Sequence, residues 1–505
     1  MKPDPRPWAL AGLTTAVVAI GIDVTILNVA LPTIAADVAA TTSDLQWIVN
    51  AYVLVFAGLL LPSGALADRY GRRRWLLAGL AVFGAGSLAA AWSGDAAQII
   101  GARAVLGVGA AIIMPTTLAS LAELFTGAAR AKAVSVLVSG MGVGIPLGPV
   151  VGGYLIDHFW WGSIFLINLP IVAIAGLAVA AFVPESRDPA PPRPDPVGAL
   201  LSTVGLVGFV YAVIEAPQRG WGAPQVVAAL VASIGMLTAF VRWGLRRREP
   251  AIDLRLFGDR RFRWASINAT LASFALFGLL FIAPPHLQVV LGFDALGTGL
   301  RLLPMVAGLV VGAGLATRAA ARLGHRLPMV AGLLIAAAGL LLGAAGDTGT
   351  GYGQIATWYV VAGFGVGATL APAMDAALAA MPPARSGAGI AVTMTMRQVG
   401  GALGVALLGS LLSQTYSWRL DTGDLPPAVA AAAEQSLTAA TALDLAPLTT
   451  AAHAAYADAM AGVLLATAVV CVLGAAATAV LMPGPAARQG LAEPAGQHDA
   501  YYGPS

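Results

Sequence analysis

Charge is what this 505-residue chain has least of: Asp, Glu, Lys and Arg together make up 10% of it. Soluble domains carry roughly 25%, and a mean hydropathy of +0.80 excludes a chain that folds in water. Cysteine is nearly absent. Cys471 stands alone in an apolar run, so no intrachain disulfide forms. A G-x-x-x-x-G-K-[ST] loop is missing, which argues against ATP hydrolysis by this chain, and no enzyme activity is expected. The five histidines are scattered, without metal-ligand spacing, and no cofactor or metal is implied. Nucleic-acid binding is not expected either, because the arginine clusters are accounted for by membrane topology. Nothing resembles a selectivity-filter tract, although that alone does not exclude a channel. The short polar N-terminus leads into an apolar segment with no small-residue cleavage site, so it reads as a first span and not as a signal peptide.

What the chain has is long apolar runs: 58% of its residues are hydrophobic. Stretches of about 18 to 25 apolar residues cross a bilayer as helices. Fourteen are expected, at 8–31, 46–66, 75–93, 97–120, 133–156, 163–183, 197–215, 224–243, 264–284, 298–317, 328–345, 354–377, 388–412 and 459–482. Their lengths and helical periods exclude a β-barrel. The fold class is all-α, a polytopic membrane protein in a lipid bilayer, expected as a monomer.

Lys and Arg set the orientation. With the N-terminus in the cytoplasm, segments 1–7, 67–74, 121–132, 184–196, 242–263, 318–327, 378–387 and the tail from 483 hold 23 of the 28 basic residues. So steep a bias places both termini in the cytoplasm. The loop 413–458 then lies outside. It carries Asp421, Asp424, Glu434, Asp444 and Asp458 against Arg419, and its Ala-rich text suits one or two surface helices.

A faint repeat divides the chain. Asp68-Arg69-Tyr70-Gly71-Arg72-Arg73 after span two has a diverged counterpart, Arg322-Leu323-Gly324-His325-Arg326, after span ten. Two related six-helix bundles are expected. The divisions are 1–196 with its Pro-rich linker, 197–263 with two inserted helices and a basic loop, 264–482, and a cytoplasmic tail at 483–505.

Span five carries the most unusual text. Gly140, Gly144, Gly148 and Gly152 recur every four residues and lie close to one helix face. In a membrane such a stripe lets a neighbouring backbone approach closely. Pro146 and Pro149 remove backbone donors from the same helix. A tight packing seam and a moving interface are both open on these residues alone.

Embedded charges come next. Asp23 is about 15 residues into span one, roughly 22 Å from the cytoplasmic side at 1.5 Å per residue. Arg103 is about six residues into span four, which runs the other way, roughly 9 Å from the outer side. In a core about 30 Å thick the two fall at similar depth. Each is costly there unless paired or wetted. Asp23 reads either as a protonation site governed by Arg103 and water access or as half of a static ion pair. Glu215 at the outer end of span seven, Asp375 near the cytoplasmic end of span twelve, and Met394 and Arg397 in span thirteen are candidates to line a substrate cavity. Arg397 lies close to mid-membrane and suits either an acidic partner or the cavity wall. Trp47, Tyr52 and Phe56 face cavity or lipid.

Several of these tracts together resemble the major facilitator superfamily. Gly64-Ala65-Leu66-Ala67-Asp68-Arg69-Tyr70-Gly71-Arg72-Arg73-Arg74 looks like its loop signature. Gly144 through Gly153, with Pro146, Gly148, Pro149 and Gly152, is similar to the antiporter signature. Asp23 to Pro32, Arg103 with Gly107 and Gly109, and Arg397 to Gly404 resemble motifs of the fourteen-helix drug:proton antiporters of the EmrB/QacA type. The resemblance implies two six-helix bundles plus two inserted helices. It further implies proton-coupled export of amphipathic or cationic drug-like molecules across the cytoplasmic membrane by alternating access. By the same resemblance Asp68, with Arg69, Arg72 and the flanking Gly64 and Gly71, locks the halves in one state, and the span-five glycines help seal the cavity. An exporter or flippase for one endogenous metabolite or lipid fits the same motifs. A non-transporting sensor or a channel is the reading from a different class.

Overall fold

The computed structural model describes the chain except residues 1–4, 189–194, 248–249, 251–253, 347–348, 350, 382–385, 424 and 485–505; at 128, 131, 135, 138, 141, 386–388 and 390 only the backbone is described. Parts of the expected linker 184–196, the basic loop, segment 378–387, Asp424 and the tail lie outside the described residues.

The described chain is helical, with no strand. In order it forms α1 (Arg6–Asp37), α2 (Thr42–Tyr70), α3 (Arg72–Ala91), α4 (Ala96–Leu124) and α5 (Gly127–His158). Next come α6 (Ser163–Phe182), α7 (Pro196–Arg219), α8 (Pro224–Arg246), α9 (Arg260–Val290) and α10 (Ala295–Leu323). The order closes with α11 (Arg326–Ala344), α12 (Tyr352–Ala379), α13 (Ser386–Leu403, passing through a π turn into Gly409–Arg419) and α14 (Ala446–Leu481). Among the described residues 13 of these helices are long and apolar enough to cross a membrane. The remaining expected span, 133–156, falls on the 32-residue α5.

Helix boundaries follow local chemistry. Thr41 and Asp44 form a reciprocal capping box at the start of α2. Asp95, Asp195 and Asp294 each cap the helix that follows by accepting a backbone N–H. One expected boundary moves. The expected loop 413–458 is shorter, because α13 runs on to Arg419 and α14 begins at Ala446. Apolarity marks where hydrocarbon begins, whereas a helix continues beyond it as long as its backbone bonds are met. Between them lie two short helices, Pro427–Gln435 and Leu437–Ala442. They cap the molecule: the Thr42 hydroxyl donates to the Gln435 carbonyl at 3.0 Å, and Tyr416 donates to Ala433 at 3.2 Å.

Helices α1 to α6 pack mainly on one another, and α9 to α14 do the same. Contacts between these sets join α1 to α9, α2 to α13 and α5 to α10. Helix α7 lies against α2 and α13, while α8 touches little beyond α7. The repeat has a three-dimensional counterpart. Gly71 and Gly324 both carry positive φ, +111° and +76°, at the breaks between α2 and α3 and between α10 and α11. The residues two places on, Arg73 and Arg326, reach the carbonyls of Ala180 and Ala479 near the C-terminal ends of α6 and α14. Each guanidinium thus faces the negative end of the helix that closes its own set.

Candidate functional site

Asp23 and Arg103 meet. Arg103 donates from Nη1 to Asp23 Oδ2 at 2.7 Å, with both side chains almost wholly buried. The other carboxylate oxygen, Oδ1, accepts from the Asn168 amide of α6 at 3.0 Å. That amide also donates to Ser87 Oγ of α3 at 3.1 Å. Arg103 Nε donates to the Ile48 carbonyl of α2 at 3.2 Å, and its guanidinium lies 4.4 Å from the Tyr52 ring centroid. Five helices therefore converge on one ion pair. Burial makes the pair stringent, since removing one partner strands the other charge in low dielectric. The Tyr52 hydroxyl and Asn168 Oδ1 are buried without a hydrogen-bond partner among the described residues. Tyr52, which the sequence left between cavity and lipid, belongs to this cage.

The loop after α2 forms a second charged cluster. Arg72 bonds Asp68 through Nε at 2.9 Å and Nη2 at 2.8 Å, and Glu123 of α4 through Nη1 at 2.7 Å. The chain after α6 returns to it: Arg72 N donates to the Ser186 carbonyl at 2.9 Å, and Asp188 N donates to the Asp68 carbonyl at 3.0 Å. Gly71 is required by its positive φ, and it lies against the Glu185 carboxylate. Gly64 faces Pro115 of α4. Arg69 points elsewhere, over the exposed Tyr70 ring at 5.9 Å. Asp68 and Arg72 are thus tied to each other and to Glu123, Ser186 and Asp188, all within the first 188 residues.

Helix α5 continues unbroken through Pro146 and Pro149 and uses two faces. A Cβ at Gly144, Gly148 or Gly152 would press on α1: 3.1 Å from Val18 O, 2.9 Å from Ile22 O and 2.6 Å from Ile26 Cγ1 respectively. Pro149 cannot donate to the carbonyl four residues back. That carbonyl, of Ile145, accepts instead from Thr25 Oγ1 of α1 at 3.1 Å. The every-fourth-residue stripe is thus a seam with α1. The approach to α10 lies one residue round the helix. A Cβ at Gly153 would be 2.5 Å from Leu296 Cα, and one at Gly299 would be 2.6 Å from Pro149 C. Asp157, a turn beyond, accepts from the backbone N–H groups of Ala295 and Leu296 at 3.2 and 2.8 Å. It caps the first turn of a helix on the opposite set.

The remaining candidates stand apart. Glu215 is committed to Arg219 Nε at 2.6 Å and to the Ser43 hydroxyl at 3.2 Å, so it ties α7 to α2 and does not present a free carboxylate. Asp375 is half-buried and makes no salt bridge among the described residues. Arg397 finds no acid among them: its Nη1 approaches Met394 Sδ at 3.6 Å, and its Nε is buried without a partner.

Asn168, Ser87 and Asp157 were not singled out in the sequence. Each carries a weak signal, a polar side chain within or at the end of an apolar span, and only the fold shows which of the many such residues converge.

A family model described as Major Facilitator Superfamily matches residues 13–405. The multidrug efflux pump LfrA of Mycolicibacterium smegmatis is 38% identical, covering 87% of this chain and 88% of that protein. The puromycin resistance protein pur8 of Streptomyces alboniger is 36% identical, over 84% and 86%. The methyl viologen resistance protein SmvA of Salmonella typhimurium is 33% identical, over 82% and 84%. Among solved structures, an inward-facing bacterial homologue of the human lysosomal transporter Spinster superposes with a TM-score of 0.69 at 18% identity, covering 95% of this chain and 98% of that one.

Proposed function

From the premise that this chain belongs to the major facilitator superfamily, we propose that it is a multi-pass membrane transporter that expels drug-like or antibiotic molecules in exchange for protons. Relatives named as multidrug efflux and antibiotic-resistance proteins, at 30–38% identity over most of the chain, support the substrate class. The observation that carries proton coupling is the buried Asp23 bonded to Arg103. A carboxylate held at that depth is neutral or charged according to water access, so access from alternate sides would drive the exchange. The proposal extends to a cytoplasmic membrane with both termini inside, to two six-helix bundles that rock against each other, and to an amphipathic or cationic cargo. Asp68 with Arg72 would then brace the cytoplasmic end, and Arg397, Met394 and Asp375 would contribute to the cavity. A drug-susceptibility panel tests it: cells expressing the protein should tolerate several unrelated amphipathic drugs, and cells expressing Asp23→Asn should not. Resistance to a single compound would favour a dedicated exporter, and none would remove the proposal.

On this reading the α5–α10 contact closes the outer end, and Asp157 is its latch. Asp157→Ala removes the acceptor of two backbone donors, a capping loss of about 1 kcal/mol, which is roughly a fivefold shift toward outer opening. Labelling of a Leu296→Cys reporter by a membrane-impermeant thiol reagent should rise accordingly. The native background is low because Cys471 is buried and is the chain's one cysteine. Unchanged labelling would show that the latch contributes nothing.

A further inference from the structure

We propose that Asn168 is the positioning residue of the proton step, its amide turning from donor to acceptor as Asp23 gains a proton. The inference rests on the proton-coupled reading above. Helix α6 is interrupted at Ile167, and Asn168 opens its second segment, Asn168–Phe182. This puts a fully buried amide within reach of both α1 and α3. A side-chain amide has two donors and one carbonyl acceptor. Both donors are used, one on Asp23 Oδ1 at 3.0 Å and one on Ser87 Oγ at 3.1 Å. The carbonyl, Asn168 Oδ1, is buried and has no hydrogen-bond partner among the described residues. In a native interior such an orphan calls for an explanation.

The explanation lies in the other protonation state. Ionised Asp23 needs only donors, and Asn168 and Arg103 supply one to each oxygen. Protonated Asp23 carries an O–H that needs an acceptor. Among the described residues Arg103 from α4, Tyr52 from α2 and Asn168 from α6 face Asp23; α5 meets α1 with glycines. Arg103 has no acceptor to offer. The orphan carbonyl of Asn168 does, and half a turn of the amide about its Cβ–Cγ bond brings it to the carboxyl. The turn gives up the bond to Ser87, so the protonation state of α1 is passed to α3. Only the proton's O–H bonds change: it leaves a water-borne donor for the Asp23 carboxylate, and passes from there to water on the opposite side.

The test is the pH profile of gradient-driven ethidium transport in proteoliposomes. Asn168→Leu removes a charge-assisted bond to the ionised carboxylate and a weaker neutral bond to the protonated one, so the profile's midpoint should move to higher pH by up to about one unit. Asn168→Ser, which keeps a smaller donor and acceptor, should move it less, and it carries the test if the leucine variant fails to insert. A midpoint unmoved in both variants, with only the maximal rate lowered, would reduce Asn168 to packing and overturn the proposal. So would an acid shift in Tyr52→Phe, because loss of the tyrosine hydroxyl would then have removed the acceptor of the Asp23 proton. If Asp23→Asn itself retains the wild-type profile, proton coupling at Asp23 is what fails, and the two failures are told apart.

Discussion

Asp23→Asn should abolish gradient-driven efflux while leaving substrate exchange measurable. The substitution keeps the size of the side chain and removes its ability to carry a proton. Ethidium loaded into proteoliposomes should no longer respond to an imposed pH gradient, whereas counterflow, which needs no net proton movement, should persist. The alternative is a static ion pair that holds five helices together. It forecasts that counterflow is lost as well; the unpaired Arg103 costs about 3–5 kcal/mol of stability on either reading. Asparagine would also set its own amide donors against Arg103 or Asn168, both already donors. If the pair were only structural, transport, counterflow and thermal stability would fall together, and Asp23→Glu, which restores the charge, would recover all three. Loss of gradient response with surviving counterflow belongs to a proton carrier alone. Full gradient response in Asp23→Asn would end the assignment.

The second large effect separates the two faces of α5. Gly153→Leu places a side chain where Leu296 Cα already stands, 2.5 Å from the position of Cβ. The clash is with backbone of a helix from the opposite set, so the α5–α10 contact cannot close. Transport should fall to background with the protein still inserted, and a Leu296→Cys reporter should become fully reactive from outside. Each 1.4 kcal/mol of overlap shifts such a two-state balance about tenfold, and a leucine against backbone exceeds that several times over. Gly148→Leu tests the other face. Its Cβ would meet Ile22 O and Ile26 N of α1 at 2.9 Å, within one set of helices. Here the expected result is lower thermal stability and less inserted protein, with reporter reactivity little changed. Similar behaviour of both variants would mean that α5 moves as part of one rigid seam. On the sequence the stripe 140–144–148–152 left seam and moving interface both open; the distances set Gly144, Gly148 and Gly152 against α1, and Gly153 and Pro149 against α10.

Much of the fold was legible because a bilayer leaves so few choices. Backbone groups in hydrocarbon must bond within their own segment, so apolar length alone gives helices, and α2, α4, α6 and α12 begin and end within a few residues of their expected spans. Where water returns, the rule loosens. That is why α14 begins at Ala446, well before its apolar run. The Asp23–Arg103 pairing was half legible: equal depth follows from 1.5 Å per residue, but depth says nothing of azimuth. The contact needed α1 and α4 to turn the right faces to each other.

By itself the sequence determined the helical class, the family motifs and the residues too costly to leave unpartnered in a membrane. Composition and spacing are one-dimensional, and the bilayer reads them directly. Tertiary structure decided the partners. It gave Asp23 the amide of Asn168, 145 residues away in the chain, and gave Glu215 to Arg219 and Ser43. It also left Arg397 without an acid among the described residues. It divided the Gly/Pro tract of α5 between α1 and α10, because residues one apart on a helix differ by a hundred degrees of azimuth. Spacing tells which side chains share a face. Only packing tells which face meets which neighbour, and in this protein the proposed work is done by those meetings.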